Sequence, residues 1–228
     1  MNLAAYIDHT LLTATVTTDQ VKQLCSEACE YGFANVTVNP RWVSLASDIL
    51  HRSQVKVGSV IGFPLGAESR SIKAAQATEL IFAGADEVDM VADIGAIIEF
   101  NKGYFLNELS CVLKVCRSMR PSVVLKVIIE SAALTRDQKV FACGLCQQAG
   151  VDFIKTSTGL NPAGGASVED VKLMAEAAPE CRIKAAGGIR TAREALELIE
   201  AGASRIGTSA SIQIIEEFQK GGTGELGQ

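Results

Sequence analysis

The chain has 228 residues, close to the roughly 250 residues of one α/β barrel, so we expect a single domain. Hydrophobic residues make up 48% of the chain and charged residues 21%, a composition that supports a sizeable core and excludes disorder and collagen. The net charge of −5 disfavours binding to a nucleic acid or to an anionic membrane.

The amino-terminal segment has no signal-peptide pattern, because Met1 to Leu12 contains neither Lys nor Arg. No uncharged apolar run approaches the roughly 20 residues that a membrane-spanning helix needs. The chain carries 7 cysteines, and an odd number in a long chain without a secretion signal favours free thiols over a disulfide framework. We therefore expect a soluble, cytoplasmic protein.

Helical segments that end in a small residue and glycine recur along the chain, each followed by a short apolar run. They end at Gly32, Gly84, Gly150 and Gly202. Glycine directly after the last turn is typical of a helix C-terminus. Each of these positions therefore marks a helix that leads into a strand.

Eight strands and eight helices alternate in the predicted order. The strands are predicted at 6–12, 34–38, 55–61, 86–91, 123–129, 152–155, 182–185 and 204–207. The helices are predicted at 17–31, 40–52, 69–83, 101–119, 135–149, 167–178, 191–201 and 209–219, with capping boxes at Thr135 and Thr191. This alternation favours an α/β fold of the (β/α)8 TIM barrel type over a doubly wound open sheet. We assign the barrel to 1–219 and a flexible, glycine-rich C-terminal tail to 220–228.

Four ionisable residues interrupt strands that should be apolar, namely Asp89, Lys126, Lys155 and Lys184. Any one of them could be a strand end that reaches solvent or half of a structural ion pair. Lys155 and Lys184, however, both lie towards the carboxyl ends of their strands, where barrel enzymes place their chemistry. Two neighbouring ammonium groups lower each other's pKa, and a Schiff-base lysine needs a neutral amine. Asp89 would then be the general acid/base.

Glycine and serine turns follow the last two strands. Gly187 and Gly188 alone could form an ordinary tight turn, but Gly207, Thr208 and Ser209 open the next helix in the same way. Backbone N–H groups at helix N-termini suit a phosphate group, and barrels often hold phosphate at these two loops. The pair of turns therefore predicts a phosphate site.

The motifs resemble those of the deoxyribose-phosphate aldolase family, which are class I, Schiff-base-forming aldolases. The resemblance runs from Tyr6 to Glu217, and its most specific blocks are Lys155-Thr-Ser-Thr-Gly159 and Lys184-Ala-Ala-Gly-Gly-Ile-Arg190. Further matching blocks are Ile7-Asp8-His9-Thr10-Leu11-Leu12, Val38-Asn39-Pro40, Val60-Ile-Gly-Phe-Pro-Leu-Gly66, Glu87-Val-Asp-Met-Val91, Lys126-Val-Ile-Ile-Glu130 and Arg205-Ile-Gly-Thr-Ser209.

The resemblance implies reversible cleavage of 2-deoxy-D-ribose 5-phosphate to acetaldehyde and D-glyceraldehyde 3-phosphate, in deoxynucleoside catabolism, without a metal or other cofactor. It also implies a role for each matching residue: Lys155 forms the imine, Lys184 lowers its pKa, Asp89 shuttles protons through water and Thr158, and Gly187, Gly188, Gly207 and Ser209 hold the phosphate. We expect a small phosphosugar as the substrate and a homodimer or homotetramer as the assembly.

Two positions depart from the family pattern. Thr37 stands where many relatives have Cys, and the tail from Lys220 to Gln228 lacks the Tyr that ends some longer relatives. Two other functions stay open: an isomerase or epimerase of phosphosugars on the same barrel, and a phosphosugar-binding protein without catalysis. We interpret Cys143 and Cys146 as core residues, and the adjacent Asp8 and His9 as poor spacing for a metal.

Overall fold

The chain folds into a closed barrel of eight parallel strands. The computed structural model describes residues 1–118 and 121–223. The strands are β1 (Ile7–Leu11), β2 (Asn35–Val38), β3 (Lys56–Ile61), β4 (Glu87–Val91), β5 (Val124–Ile128), β6 (Phe153–Lys155), β7 (Arg182–Ala186) and β8 (Ala203–Thr208). Each strand pairs with the next, and β8 pairs with β1. This closure confirms the predicted TIM barrel and excludes the open sheet.

Helices surround the barrel on its outer side. They are α1 (Thr18–Tyr31), α2 (Val43–Leu50), α3 (Arg70–Phe82), α4 (Ile94–Ile98), α5 (Lys102–Ser118), α6 (Arg136–Ala149), α7 (Val168–Ala177), α8 (Ala192–Glu200) and α9 (Ser211–Thr223). Short 3₁₀ helices lie at Leu3–Tyr6, Pro40–Trp42 and Ser131–Ala133. The prediction missed α4, a single turn capped by Asp93, whose carboxylate accepts a hydrogen bond from the backbone N–H of Ala96.

Local signals in the sequence set most of the helix boundaries. The capping boxes predicted at Thr135 and Thr191 both form, and Thr17 forms a third with Gln20. Gly32 and Gly150 adopt left-handed backbone angles, with φ of 71° and 79°, at the ends of α1 and α6. Glycine adopts this conformation without steric cost, which is why the chain turns there from a helix into the next strand.

The packed layer between the barrel and the helices is apolar. Cys143 and Cys146 are buried on α6, as predicted for core residues, and all seven cysteines are free thiols.

Within residues 1–118 and 121–223, no helix has both the length and the apolar character needed to cross a membrane.

The last helix, α9, extends to Thr223, so the predicted boundary between barrel and tail at residue 219 falls inside it. The glycines that suggested a tail are weak helix formers, and each costs only about 1 kcal/mol in a helix, so the helix continues through the first of them. Residues 224–228 of the predicted tail lie outside the described residues.

Candidate active site

Two lysines lie side by side inside the barrel and share one carboxylate oxygen. Lys155 is the last residue of β6 and pairs in register with Lys184 of β7. The Nζ atoms of both lysines donate to Oδ2 of Asp89 at 2.8 Å. Lys184 lies in the middle of β7 rather than at its end, since β7 continues to Ala186. The register brings the two ammonium groups together even though their strands end at different points.

Asp89 of β4 is the centre of this arrangement. Its Oδ1 accepts a hydrogen bond from Lys126 Nζ at 2.9 Å, so its two oxygens contact three lysines. Complete burial opposes the ionised form of Asp89, but the charges of Lys126, Lys155 and Lys184 outweigh that effect and hold its pKa well below the usual range. Asp89 is therefore a carboxylate at neutral pH, and its oxygens accept hydrogen bonds from all three lysines.

The pKa of Lys155 is lowered to about 8. Burial is the largest cause, because it disfavours the charged ammonium; Asp89 opposes the shift, and the charge of Lys184 adds to it. At pH 7 a lysine with this pKa is neutral about one tenth of the time, compared with about one part in three thousand for an exposed lysine. The lowered pKa thus makes a neutral amine available.

Further charged side chains contact Lys184 and Lys126 inside the barrel. Asp8 of β1 accepts hydrogen bonds from Lys184 Nζ and from Arg205 Nη1, both at 2.5 Å. Arg205 also reaches Glu87 at 3.3 Å, and Glu87 contacts Lys126. Burial opposes ionisation of Asp8, but the neighbouring lysines and Arg205 hold its pKa below the usual value.

The excess of positive charge in this cluster opposes the protonated form of Lys155. The cluster contains three carboxylates and four cationic side chains: Asp8, Glu87 and Asp89 against Lys126, Lys155, Lys184 and Arg205. Loss of the proton from Lys155 would leave three charges of each sign in the barrel interior. A buried cluster with matched charges is less costly than one with an excess of either sign.

Sequence reasoning did not identify Asp8, Glu87 and Arg205 as members of the site, although all three lie in matching blocks. In the sequence Asp8 stands out only next to His9, as a poorly spaced pair for a metal. His9 instead contacts Glu27 and Ser211 at 2.9 Å each, so its ring does not join the lysine cluster. Among the described residues, no group of three His, Cys, Asp or Glu side chains is placed to hold a metal ion.

Thr158 follows β6 and contacts Glu130, which follows β5. The Thr158 hydroxyl donates to Glu130 Oε2 at 2.7 Å, and the backbone N–H of Thr158 donates to Oε1 at 3.1 Å. Glu130 is buried, and it is a residue that sequence reasoning missed as part of the site.

A cavity of about 250 Å³ opens at the carboxyl end of the barrel. It brings together Lys155, Thr158 and all four residues predicted to hold phosphate, Gly187, Gly188, Gly207 and Ser209. Asp89 and Lys184 are fully buried next to Lys155. Of the three lysines bonded to Asp89, Lys155 is the one that lines the cavity.

The two predicted phosphate loops are joined by Thr208. Its hydroxyl donates to the Ile189 carbonyl at 2.7 Å and accepts from the Ala210 N–H at 3.0 Å. Gly187 has a φ of 91°, which favours glycine, and a Cβ there would lie 2.9 Å from the Cα of Gly165. The loops are thus fixed against each other at the mouth of the cavity.

Thr37 supports the charged cluster through Asn35. Its hydroxyl donates to Oδ1 of Asn35 at 2.8 Å, and the Asn35 amide donates to Glu87 at 3.1 Å. This orientation of the amide places its N–H group, rather than its oxygen, against the carboxylate. The hydroxyl of Thr37 therefore has a structural role.

The barrel and its lysine pair define a class of protein, the barrel aldolases that act through a lysine, and the comparisons with known proteins narrow this class to a family. A family profile described as DeoC/LacD family aldolase matches residues 2–216. The chain belongs to this family.

Individual relatives agree with this assignment. A deoxyribose-phosphate aldolase of Thermococcus kodakarensis is 50% identical over 217 residues, which cover 94% of this chain and 96% of the relative. One from a Thermoanaerobacter species is 49% identical over 221 residues, covering 96% and 98%. The solved structure of a tetrameric deoxyribose phosphate aldolase from Aeropyrum pernix superposes with a TM-score of 0.88 at 33% identity and covers 95% of this chain and 91% of its own.

Proposed function

We propose that Lys155 is the nucleophile in a reversible retro-aldol cleavage of 2-deoxy-D-ribose 5-phosphate to acetaldehyde and D-glyceraldehyde 3-phosphate. The observation that supports this role is the position of Lys155: it is the lysine of the Asp89 cluster that lines the cavity, and its pKa is lowered to about 8. A neutral amine that shares a cavity with a glycine turn before a helix suits an aldehyde that carries a phosphate at its other end.

The first step is the formation of an imine. The neutral amine of Lys155 adds to the aldehyde carbon C1 of the open-chain sugar, and loss of water gives a C1=N bond to Nζ. The protons that leave Nζ have an acceptor in Asp89 Oδ2, which lies 2.8 Å away. The protonated imine then draws electrons from the rest of the sugar.

The second step breaks the bond between C2 and C3. The C3 hydroxyl loses its proton and C3 becomes the aldehyde carbon of glyceraldehyde 3-phosphate, while the electron pair of the broken bond forms the enamine between C1 and C2. Protonation at C2 regenerates an imine, and water hydrolyses it to release acetaldehyde and Lys155. Asp89 carries the protons, through water and the hydroxyl of Thr158, and the charge of Lys184 helps to lower the pKa of Lys155.

The phosphate of the substrate binds at Gly187, Gly188, Gly207 and Ser209. These residues line the cavity with Lys155. Gly187 and Gly188 lie between β7 and α8, Ser209 lies between β8 and α9, and Gly207 lies in β8 one residue before its end. The N-termini of the two helices favour an anion there. Binding at the phosphate end fixes the distance to C1 and brings the aldehyde to Lys155.

We also propose an assembly and a compartment for the protein. A homodimer or homotetramer in the cytoplasm fits the free thiols of the seven cysteines and the tetrameric state named for the relative from Aeropyrum pernix. Sedimentation of the purified protein measures the state directly, and a monomer at micromolar concentration would contradict the proposed assembly.

The direct test is incubation with deoxyribose 5-phosphate while glyceraldehyde 3-phosphate is measured with a coupled dehydrogenase. We expect turnover in the wild type and its loss in Lys155→Met, with Lys56→Met, an exposed lysine on β3, as the control. A phosphosugar isomerase or epimerase would change the sugar without releasing acetaldehyde. Binding of the sugar phosphate without any product would show a binding protein.

A further inference from the structure

Glu130 has an unusual backbone for its residue type. It has a φ of 54° and a ψ of 56°, and Phe100 is the other non-glycine residue with positive φ among the described residues. Left-handed angles are unfavourable for a residue with a long side chain, so the surrounding structure must hold them. The neighbouring backbone does so: Ile129 N–H donates to the Lys155 carbonyl at 3.1 Å, and Ser131 N–H donates to the Thr156 carbonyl at 2.8 Å.

The left-handed backbone of Glu130 places its buried carboxylate against a single residue, Thr158. Glu130 is only 2% exposed, and its two oxygens accept from the hydroxyl and the N–H of Thr158 at 2.7 and 3.1 Å. In the lysine cluster, by contrast, each buried carboxylate contacts cationic side chains. Within the described part of the chain, no lysine or arginine forms an ion pair with Glu130. A buried carboxylate that serves a single threonine indicates that the orientation of this threonine matters.

The contacts fix which way the Thr158 hydroxyl points. Its proton goes to Glu130, and one of its lone pairs accepts from the N–H of Leu160 at 3.1 Å. A hydroxyl has one donor and two acceptor positions, so one lone pair remains for a group in the cavity that Thr158 lines together with Lys155. A hydroxyl that already donates to a carboxylate is also a better acceptor.

We infer that Glu130 is a positioning residue for the aldolase reaction: it holds the Thr158 hydroxyl as an acceptor for a hydroxyl of the substrate or for a bound water. This inference rests on the proposed function, because it concerns the group that receives a hydrogen bond while the sugar is cleaved. The left-handed backbone of Glu130, which follows β5, thus serves the reaction at Thr158, which follows β6.

The test compares three variants with the wild type: Glu130→Gln, Thr158→Val and the double variant. Glutamine keeps the size of the side chain but replaces one acceptor oxygen by a donor, and valine keeps the shape of threonine without its hydroxyl. We expect Glu130→Gln to lower kcat for deoxyribose 5-phosphate about 10- to 100-fold, with little change in the rate at which acetaldehyde and borohydride trap Lys155. The double variant should be no slower than Thr158→Val alone, because both changes remove one function.

Two further variants complete the design. Glu130→Asn adopts left-handed angles readily but is too short to reach Thr158, so it should show the same loss of kcat even if Glu130→Gln does not fold. Glu99→Gln, at an exposed carboxylate after α4, is the control and should keep wild-type kcat.

Three results would overturn the inference: a wild-type kcat in Glu130→Gln or Glu130→Asn, losses that multiply in the double variant, or a loss of kcat that is matched by an equal loss of trapping and a lower Tm. The last of these results would show a purely structural role. Trapping of wild-type Lys155 separates a failure of this inference from a failure of the proposed function, because the absence of trapping would refute the proposed function itself.

Discussion

At the scale of single residues, the central feature is a carboxylate that three lysines share. Asp89 has two oxygens for Lys126, Lys155 and Lys184, and its interaction with Lys155 raises the pKa of that lysine while burial and Lys184 lower it. The pKa of Lys155 therefore depends on opposing effects, and single substitutions should separate them.

Asp89→Asn removes the proton acceptor but keeps the shape of the side chain. We expect turnover to fall by roughly 10²- to 10⁴-fold, the usual contribution of a general acid/base. Trapping of Lys155 with acetaldehyde should persist at pH 7, because the loss of the Asp89 charge lowers the pKa of Lys155 further. Near-UV circular dichroism checks the fold first. A variant with near wild-type turnover would reduce Asp89 to a structural partner of the lysines.

Lys184→Met removes one of the charges that lower the pKa of Lys155 and leaves burial, the larger cause, in place. The midpoint of the trapping rate against pH should therefore rise from about 8, but should stay below the ordinary lysine value of about 10.4. The experiment is a pH series of borohydride trapping, with the exposed Lys56→Met as the control. An unchanged midpoint would show that burial alone sets the pKa and that Lys184 acts in another way.

At the scale of elements, the two loops after β7 and β8 act as one unit. Thr208 bonds both loops. Gly187 also packs on Gly165 in the loop after β6, so closely that neither position has room for a Cβ. Because the loops lie at helix N-termini, their spacing should set the affinity for phosphate without affecting the lysine chemistry.

Gly187→Ala should raise KM for deoxyribose 5-phosphate about tenfold, which corresponds to about 1.4 kcal/mol of binding. The reason is the φ of 91° and the 2.9 Å approach to Gly165, which force the loop to shift. The rate with deoxyribose that lacks the phosphate should change little. Gly202→Ala, with a φ of 114° and a place after α8, is the matched control for backbone strain. Equal effects on both substrates would refute a phosphate role for this loop.

At the scale of the whole molecule, the charged cluster ties distant parts of the chain together. Asp8 on β1 bonds Lys184 on β7 and Arg205 on β8, so these contacts form only when the barrel closes. Lys126 on β5 contacts Asp8, Glu87 and Asp89 and is completely buried. Removal of Lys126 leaves the buried carboxylates of Glu87 and Asp89 without one of the cations that they contact directly.

Lys126→Met should therefore lower the free energy of unfolding by about 3–5 kcal/mol at pH 7. Lys126 helps to hold the pKa of Asp8 and Asp89 below the usual value, so its contribution is present above about pH 4 and is lost as the pH falls below it. The difference between variant and wild type should shrink when urea unfolding is repeated at pH 3. Leu125→Ala, a buried apolar neighbour, should show no such pH dependence. A constant difference for Lys126→Met would indicate lost packing rather than lost charge.

Much of the fold could be predicted because its signals are local. Strands buried on both faces are apolar runs, and glycines such as Gly32 and Gly150 mark the helix ends, so each predicted strand overlaps an observed one. The five residues of α4 gave no signal, because one turn is too short to show a helical period.

The site could be predicted only in part. Lys155, Lys184 and Asp89 were found because ionisable residues are conspicuous in apolar strands. Asp8 and Arg205 were not recognised as their partners, since 176 and 197 residues separate Asp8 from Lys184 and Arg205, and only the closed barrel brings them together. Glu130 was missed because no sequence pattern indicates a left-handed glutamate, whose conformation is held by hydrogen bonds from Ile129 and Ser131 to Lys155 and Thr156.

The measurement that tests the central claim most directly is the site of imine trapping. The wild-type protein is treated with acetaldehyde and borohydride at pH 7 and digested, and the modified peptide is identified by mass spectrometry. Because only an imine is reduced to a stable amine, we expect a two-carbon adduct on Lys155 together with irreversible loss of turnover. An adduct on Lys184 or Lys126, or full activity after treatment, would contradict it.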